Sequence, residues 1–132
     1  PTSEPFAKLE KTALKYNLWE VYNMSLGERD GEFTINIAKN SVSSSILKNL
    51  PLRTDTTPEV TFIRKETIQI KKLDSVFEDL NLESKNIYLK IDTQGYVKMV
   101  LDRAVSSLKK IIGIQIEMAL IPSYEGSLTL KK

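Results

Sequence analysis

Asp92 and Glu117 are the residues whose type and spacing best fit chemistry. Each follows a short apolar run: Asp92 closes Ile87–Ile91, and Glu117 closes Ile114–Ile116. Lys90 and Asp92 share one parity, as do Gln115 and Glu117, so two carboxylates at neighbouring strand ends would converge on one crevice. Such a crevice, outside the carboxyl ends of strands in an open α/β sheet, is where ligands bind. A Lys90–Glu117 ion pair that satisfies itself is the structural reading of the same residues. The chain has no histidine and no cysteine. That excludes a Ser-His-Asp triad, thiolate chemistry, a disulfide framework and His-ligated metal, and no metal site is expected. A general base must then be Asp, Glu, Lys or Tyr. Around the carboxylates, Ser41, Ser43 and Ser44 in the polar stretch Asn40–Ser45, and Tyr124 beside Glu125, are candidates for lining the substrate side. For the serines, capping of Ile46–Leu50 or a plain surface linker is the structural alternative.

The elements that would position these residues follow from periodicity. Ile87, Leu89 and Ile91 alternate with Tyr88, Lys90 and Asp92, which is strand spacing. Thr93-Gln94-Gly95 breaks the strand. From Val97 the apolar positions 97, 100, 101, 104, 105, 108, 111 and 112 predict one helix. Gly113 is expected to stop it, and Ile114–Met118 to form a second strand, completing a βαβ unit.

Upstream, Thr2 or Ser3 is expected to cap a helix with Pro5 in its first turn, striped by Phe6, Leu9, Ala13 and Leu14 and ending near Asn17. Leu18–Met24 reads as a strand. Gly27–Gly31 is turn chemistry. Glu32–Ile37 alternates, with Phe33, Ile35 and Ile37 on one face, and is expected to pair with Leu18–Met24 as a hairpin. Leu52–Glu59 reads as a loop, Val60–Ile63 and Thr67–Lys71 as two short strands, and Leu73–Leu82 as one or two helical turns capped by Asp74 or Ser75. Pro122 and Gly126 mark a loop at the mouth of the last strand.

The 132 residues fit one domain or part of one, 41% apolar and 27% charged with net charge +2. That charge is too small to argue for nucleic acid or an anionic membrane. The pairs Lys71-Lys72, Lys109-Lys110 and Lys131-Lys132 read as solvated faces. No apolar run reaches membrane-spanning length and no signal peptide is apparent, so a cytoplasmic protein is expected.

Several stretches together resemble the FkbM-type family of S-adenosylmethionine-dependent methyltransferases. They are WEVYNMSLGERDG (19–31), NSVSSSILKNLP (40–51), IKKLDSVFEDL (70–80), IYLKIDTQGYVKMVLDRA (87–104) and IGIQIEMALIPSYEG (112–126), in the family's order. The resemblance implies a single, incomplete α/β domain over residues 1–132. It would be a partial class I methyltransferase (Rossmann-like) sheet with a βαβ core at 87–118 and an antiparallel hairpin insertion. Leu18–Met24 would be the family's third strand, Ile87–Asp92 the fourth and Ile114–Met118 the fifth. The implied function is transfer of a methyl group from S-adenosylmethionine to a hydroxyl of a small-molecule or saccharide acceptor. Asp92 would act as base or touch the methionine moiety, and Ser25 and Leu26 would lie by the adenine. The family's glycine-rich turn, and the acidic residue that binds the ribose before a proline matching Pro1, would lie upstream. No Gly-x-Gly occurs in these residues. The chain alone is therefore expected to be inactive, and to self-associate through an unpaired edge of Ile87–Asp92.

Gln94, Val97 and Arg103 stand where the family commonly has Glu, Glu and Gly. They motivate the alternative of a non-catalytic α/β interaction module that has lost cofactor binding. A phosphoacceptor domain, suggested by an aspartate ending a parallel strand, lacks the acidic cluster it would need earlier in the chain.

Overall fold

A computed structural model describes residues 1–130, so the pair Lys131-Lys132 lies outside the described residues. The chain is mixed α/β, with two small sheets. In the first, β3 (Phe62–Lys71) is central. It pairs antiparallel with β2 (Gly31–Ala38) and parallel with the two-residue β1 (Ser25–Leu26). In the second, β4 (Ile87–Ile91) and β5 (Ile111–Ile116) lie parallel. The helices are α1 (Ser3–Ala13), α2 (Pro51–Thr56), α3 (Leu73–Asp79) and α4 (Val97–Leu101), with 3-10 turns at Pro58–Val60 and Ser107–Lys110. No helix among the described residues is long and apolar enough to cross a membrane.

The period-two readings of β2 and β4 agree with the structure. Ile35 and Ile37 are buried with Ile68 of β3, and Phe33 and Ile46 pack against them. Ile91 is buried with Val97 and Val100 of α4. A third cluster joins Leu73 and Phe77 of α3 to Ala104. Leu26 and Leu89 pack against both of the last two clusters, so α3 and the βαβ unit share one apolar seam.

Several expectations are corrected. Leu18–Met24 forms no strand. The amides of Trp19 and Met24 are spent on the nearby carbonyls of Tyr16 and Tyr22, which removes them from any ladder. Leu18 is 95% exposed, and Trp19 stacks on Tyr16 with ring centroids 4.8 Å apart. The hairpin expected between Leu18–Met24 and Glu32–Ile37 is therefore absent, and β2 takes β3 as its antiparallel partner. Residues 60–63 and 67–71 are not two strands. Val60 belongs to a 3-10 turn, and the polar middle of β3 stays extended because Ile35, Asn36 and Ile37 pair with Glu66, Lys65 and Arg64.

The stretch 52–59 is not a loop. Pro51 starts α2, at the position where a missing N–H costs nothing. No helix forms over 46–50 for the Ser41–Ser45 hydroxyls to cap. α1 ends at Ala13, before Asn17, and of its expected stripe Leu9 and Leu14 are exposed. Thr2 occupies the N-cap position without a side-chain cap bond, and Ser3 turns to the Glu66 carboxylate.

The helix expected over 97–112 stops at Leu101. Asp74 of α3 accepts the amides of Ser106 and Ser107 at 3.2 and 2.8 Å and the Ser107 hydroxyl at 2.5 Å. This pins the chain into a 3-10 turn and lets β5 begin at Ile111. Gly113 is a strand residue, not a stop. A Cβ there would come 2.8 Å from the ring of Tyr88, its partner across the ladder. Neither Asp74 nor Ser75 caps α3. Asp30 does so from the turn before β2, accepting the Lys72 amide at 2.8 Å and the Ser75 hydroxyl at 2.7 Å.

These two aspartates make stability acid-sensitive. The Lys72 amide and Ser75 hydroxyl hold the Asp30 carboxyl below its ordinary value of 3.8. Burial works the other way at Asp74, but the bonds from Ser107 and Ser106 outweigh it and hold that carboxyl low as well. A depressed carboxyl stabilises the fold fully above its unfolded value and stops doing so as pH falls through the folded value. Urea midpoints should therefore hold near neutrality and drop below about pH 4. The double substitution Asp30→Asn with Asp74→Asn should lower the neutral midpoint and flatten that drop. An equally steep acid loss in the double variant would refute the assignment.

Candidate functional site

The parallel register Leu89↔Ile114, Lys90↔Gln115, Ile91↔Ile116 brings Asp92 and Glu117 to adjacent strand ends, and the Glu117 amide donates to the Ile91 carbonyl at 3.2 Å. Both carboxylates line one cleft of about 230 Å³ with Arg53, Gln94, Ser123, Tyr124 and Ser127. They are not equivalent. Glu117 forms an ion pair with Lys90 at 3.2 Å, both side chains about half exposed. Asp92 instead accepts a hydrogen bond from Gln94 Nε2 at 2.9 Å.

The turn after β4 is built for this contact. Gln94 has φ +44° and Gly95 φ +90°, and the Tyr96 amide closes the turn on the Thr93 carbonyl. Gly95 also lets Tyr124 approach: a Cβ there would lie 2.7 Å from Tyr124 Cδ2. The Tyr124 hydroxyl lies 3.0 Å from Gln94 Oε1 and 3.2 Å from the Ser43 carbonyl, and can donate its proton to either. Gln94 thus joins Tyr124 to Asp92. From the far side, the Ser45 hydroxyl donates to the Gln94 carbonyl at 2.8 Å, while Ser45 pairs with Asn36 of β2 through backbone bonds. The turn is therefore tied to the first sheet.

A second cleft, about 250 Å³, opens on the other side of that turn. Its lining includes Pro1, Thr2, Ser25, Ile46, Asp92, Gln94 and Tyr96. Asp92 and Gln94 face both clefts. Thr93 Oγ1, in the wall of the second, is shut off from solvent without a hydrogen-bond partner.

The serine loop borders the site, unequally. Ser41 and Ser44 line the second cleft. The Ser44 hydroxyl donates to the Ser41 carbonyl and accepts the Ala38 amide, so it is engaged within its own loop. Ser43 is buried, bonded to Asn40, and offers only its carbonyl to Tyr124. Of the two residues expected by an adenine, Ser25 lines the second cleft, whereas Leu26 packs into the apolar seam and lines neither. Glu125 lines neither cleft; its amide is bonded to the Lys48 carbonyl.

Burial pushes the Tyr96 hydroxyl up to about 12, reinforced by Glu28. Burial also raises Tyr124, despite the guanidinium of Arg53, which lies 4.1 Å from the ring centroid. Neither tyrosine is a base near neutrality, and both are proton donors. That leaves Asp92 as the acceptor between the clefts.

Sequence reasoning did not single out Arg53, Ser123 or Ser127; Ser45 belongs to the Ser41–Ser45 stretch expected to border the crevice, and it lines the second cleft. Pro51 was the available signal for Arg53, since a proline at a first helical position would have placed it one turn into α2. No family model matches the chain, and no curated protein or solved structure is found to match it either.

Proposed function

We propose that this chain is part of an S-adenosylmethionine-dependent methyltransferase acting on a hydroxyl of a small molecule or saccharide. The observation that carries the reading is the shared wall: Asp92 faces two clefts of similar size, as a reaction joining two molecules requires. The second cleft, whose wall carries Ile35, Val42, Ile46 and Tyr96 beside Ser25, suits the adenosyl part of the cofactor. The first, with Ser123, Ser127 and Tyr124, suits a hydroxylated acceptor. S-adenosylmethionine would supply the methyl group there, and Asp92 would take the proton of the acceptor hydroxyl. Holding the two partners in line is the main catalytic demand, and proton removal by Asp92 adds to it. The tyrosines, kept protonated, contribute hydrogen bonds without competing for that proton.

In this reading the ribose contact and the glycine-rich turn are supplied from outside these 132 residues. Calorimetric titration with S-adenosylmethionine tests it. The 132-residue chain is compared with one extended upstream, by whatever its gene encodes, over about one to two βα units. Micromolar binding by the extended chain alone is the expected result. No binding by the extended chain would overturn the reading. Equal weak signals from both would favour the non-catalytic interaction module. That module has one observation of its own, the exposed apolar run of Leu14, Leu18 and Trp19, at 84%, 95% and 52% exposure.

A further inference from the structure

Arg53 has no role in the transfer step just described, yet it is one of the most deliberately held side chains of the first cleft. Its Nη1 donates to Asn49 Oδ1 at 3.1 Å, and Asn49 is itself fixed by a 2.8 Å bond from its Nδ2 to the Val60 carbonyl. The guanidinium carbon stands over the Tyr124 ring, 4.1 Å from its centroid. Asn49 and Tyr124 are bridged through their backbones, and the Leu50 amide donates to the Ser123 carbonyl, so helix α2 and the 123–127 loop carry the cation as one unit. No carboxylate among the described residues forms an ion pair with Arg53. A guanidinium has five N–H donors; one meets Asn49 Oδ1, and the group also acts on the Tyr124 hydroxyl. That leaves donors to spare in a cleft whose Glu117 carboxylate is occupied by Lys90. Asp92 makes no ion pair with Arg53 and accepts instead from Gln94 Nε2.

We propose that the first cleft is selective for small hydroxylated acceptors that carry a carboxylate, held two-pronged by Arg53 while a hydroxyl of the same molecule reaches Asp92. The inference names the acceptor class of the proposed methyltransferase and rests on that reading for the word acceptor, but the binding itself does not depend on methyl transfer. The planar guanidinium fork matches a carboxylate in shape as well as charge, which a lysine ammonium cannot do. At about 230 Å³ the cleft is below the range of drug-sized pockets, which fits a molecule the size of a single sugar acid.

D-glucuronate and D-glucose differ in the group at C6 and isolate the carboxylate. Saturation-transfer NMR and calorimetry on the 132-residue chain should show glucuronate bound about tenfold tighter than glucose, the scale of one charge-assisted contact. Arg53→Met should abolish the preference and Arg53→Lys should restore only part of it, with circular dichroism and the urea midpoint verifying that each variant is folded. If Arg53→Met does not fold, a weakened preference in Arg53→Lys and displacement of bound glucuronate by acetate serve instead. Equal binding of the two sugars, no binding of either, an unchanged preference in Arg53→Met, or tighter binding of glucose 6-phosphate than glucuronate would each overturn the proposal. Glucuronate that binds through Arg53 but is not methylated by the extended chain with cofactor would count against the methyltransferase reading alone.

Discussion

Gly95→Ala should lower the stability of the chain by about 3 kcal/mol, combining a strained backbone with overpacking. The two causes are separable. Gly95 has φ +90°, a conformation that L side chains rarely adopt. The new methyl would also lie 2.7 Å from Tyr124 Cδ2 and 3.1 Å from Cγ, and Tyr124 is only 4% exposed, so the ring has no free space into which to withdraw. Urea unfolding of Gly95→Ala, Tyr124→Ala and the double variant measures each part. In the Tyr124→Ala background the alanine penalty should fall to about 1 kcal/mol, the strain alone. A full, undiminished penalty there would mean that the contact with Tyr124 is not what the glycine serves. A wild-type midpoint in Gly95→Ala would refute both causes.

Gly27→Ala should cost about 2–3 kcal/mol for a different reason, since its φ is not positive and only space is at issue. A Cβ would fall 2.1 Å from Ile70 Cδ1 and 2.6 Å from Cγ1. The far end of an isoleucine side chain could ordinarily swing aside, but Ile70 is 0% exposed. Gly27 is held in place by its amide, which donates to the Lys71 carbonyl at 2.9 Å. Shortening the neighbour relieves the nearest clash, so Gly27→Ala with Ile70→Val should be less destabilised than the sum of the two single changes. Strict additivity in the thermal or urea midpoints would remove Ile70 as the cause.

How far the site could be read from residues alone depended on whether the deciding interactions were local. Ile87–Ile91 alternates because one face is buried, and that pattern is written in consecutive residues, so β4 and the carboxylate at its end were legible. So was the parallel partner that sets Glu117 beside Asp92. The helix after Val97 was overextended, because its apolar spacing continues while the event that ends it comes from Asp74, some thirty residues earlier, capturing Ser106 and Ser107. Leu18–Met24 carries the aromatic and β-branched residues of a strand, yet a strand also needs a partner ladder, and β3 gives only Ser25 and Leu26 a place. Arg53 was missed because its importance comes from Tyr124, far away along the chain, laid against it by the pairing of the Asn49 and Tyr124 backbones.

The two clefts share the side chains of Asp92 and Gln94, which form part of both linings. A shared wall of that kind makes occupancy a shared property. A molecule that turns the Gln94 amide away from Asp92 on one side changes the donors and acceptors displayed on the other. Whatever factor the first ligand applies to the second, the second must return to the first, because linkage between binding equilibria is reciprocal. An ordered or synergistic sequence of filling would then need no hinge and no moving domain. One amide, held between a tyrosine hydroxyl and a carboxylate, would be the coupling element between the two chambers.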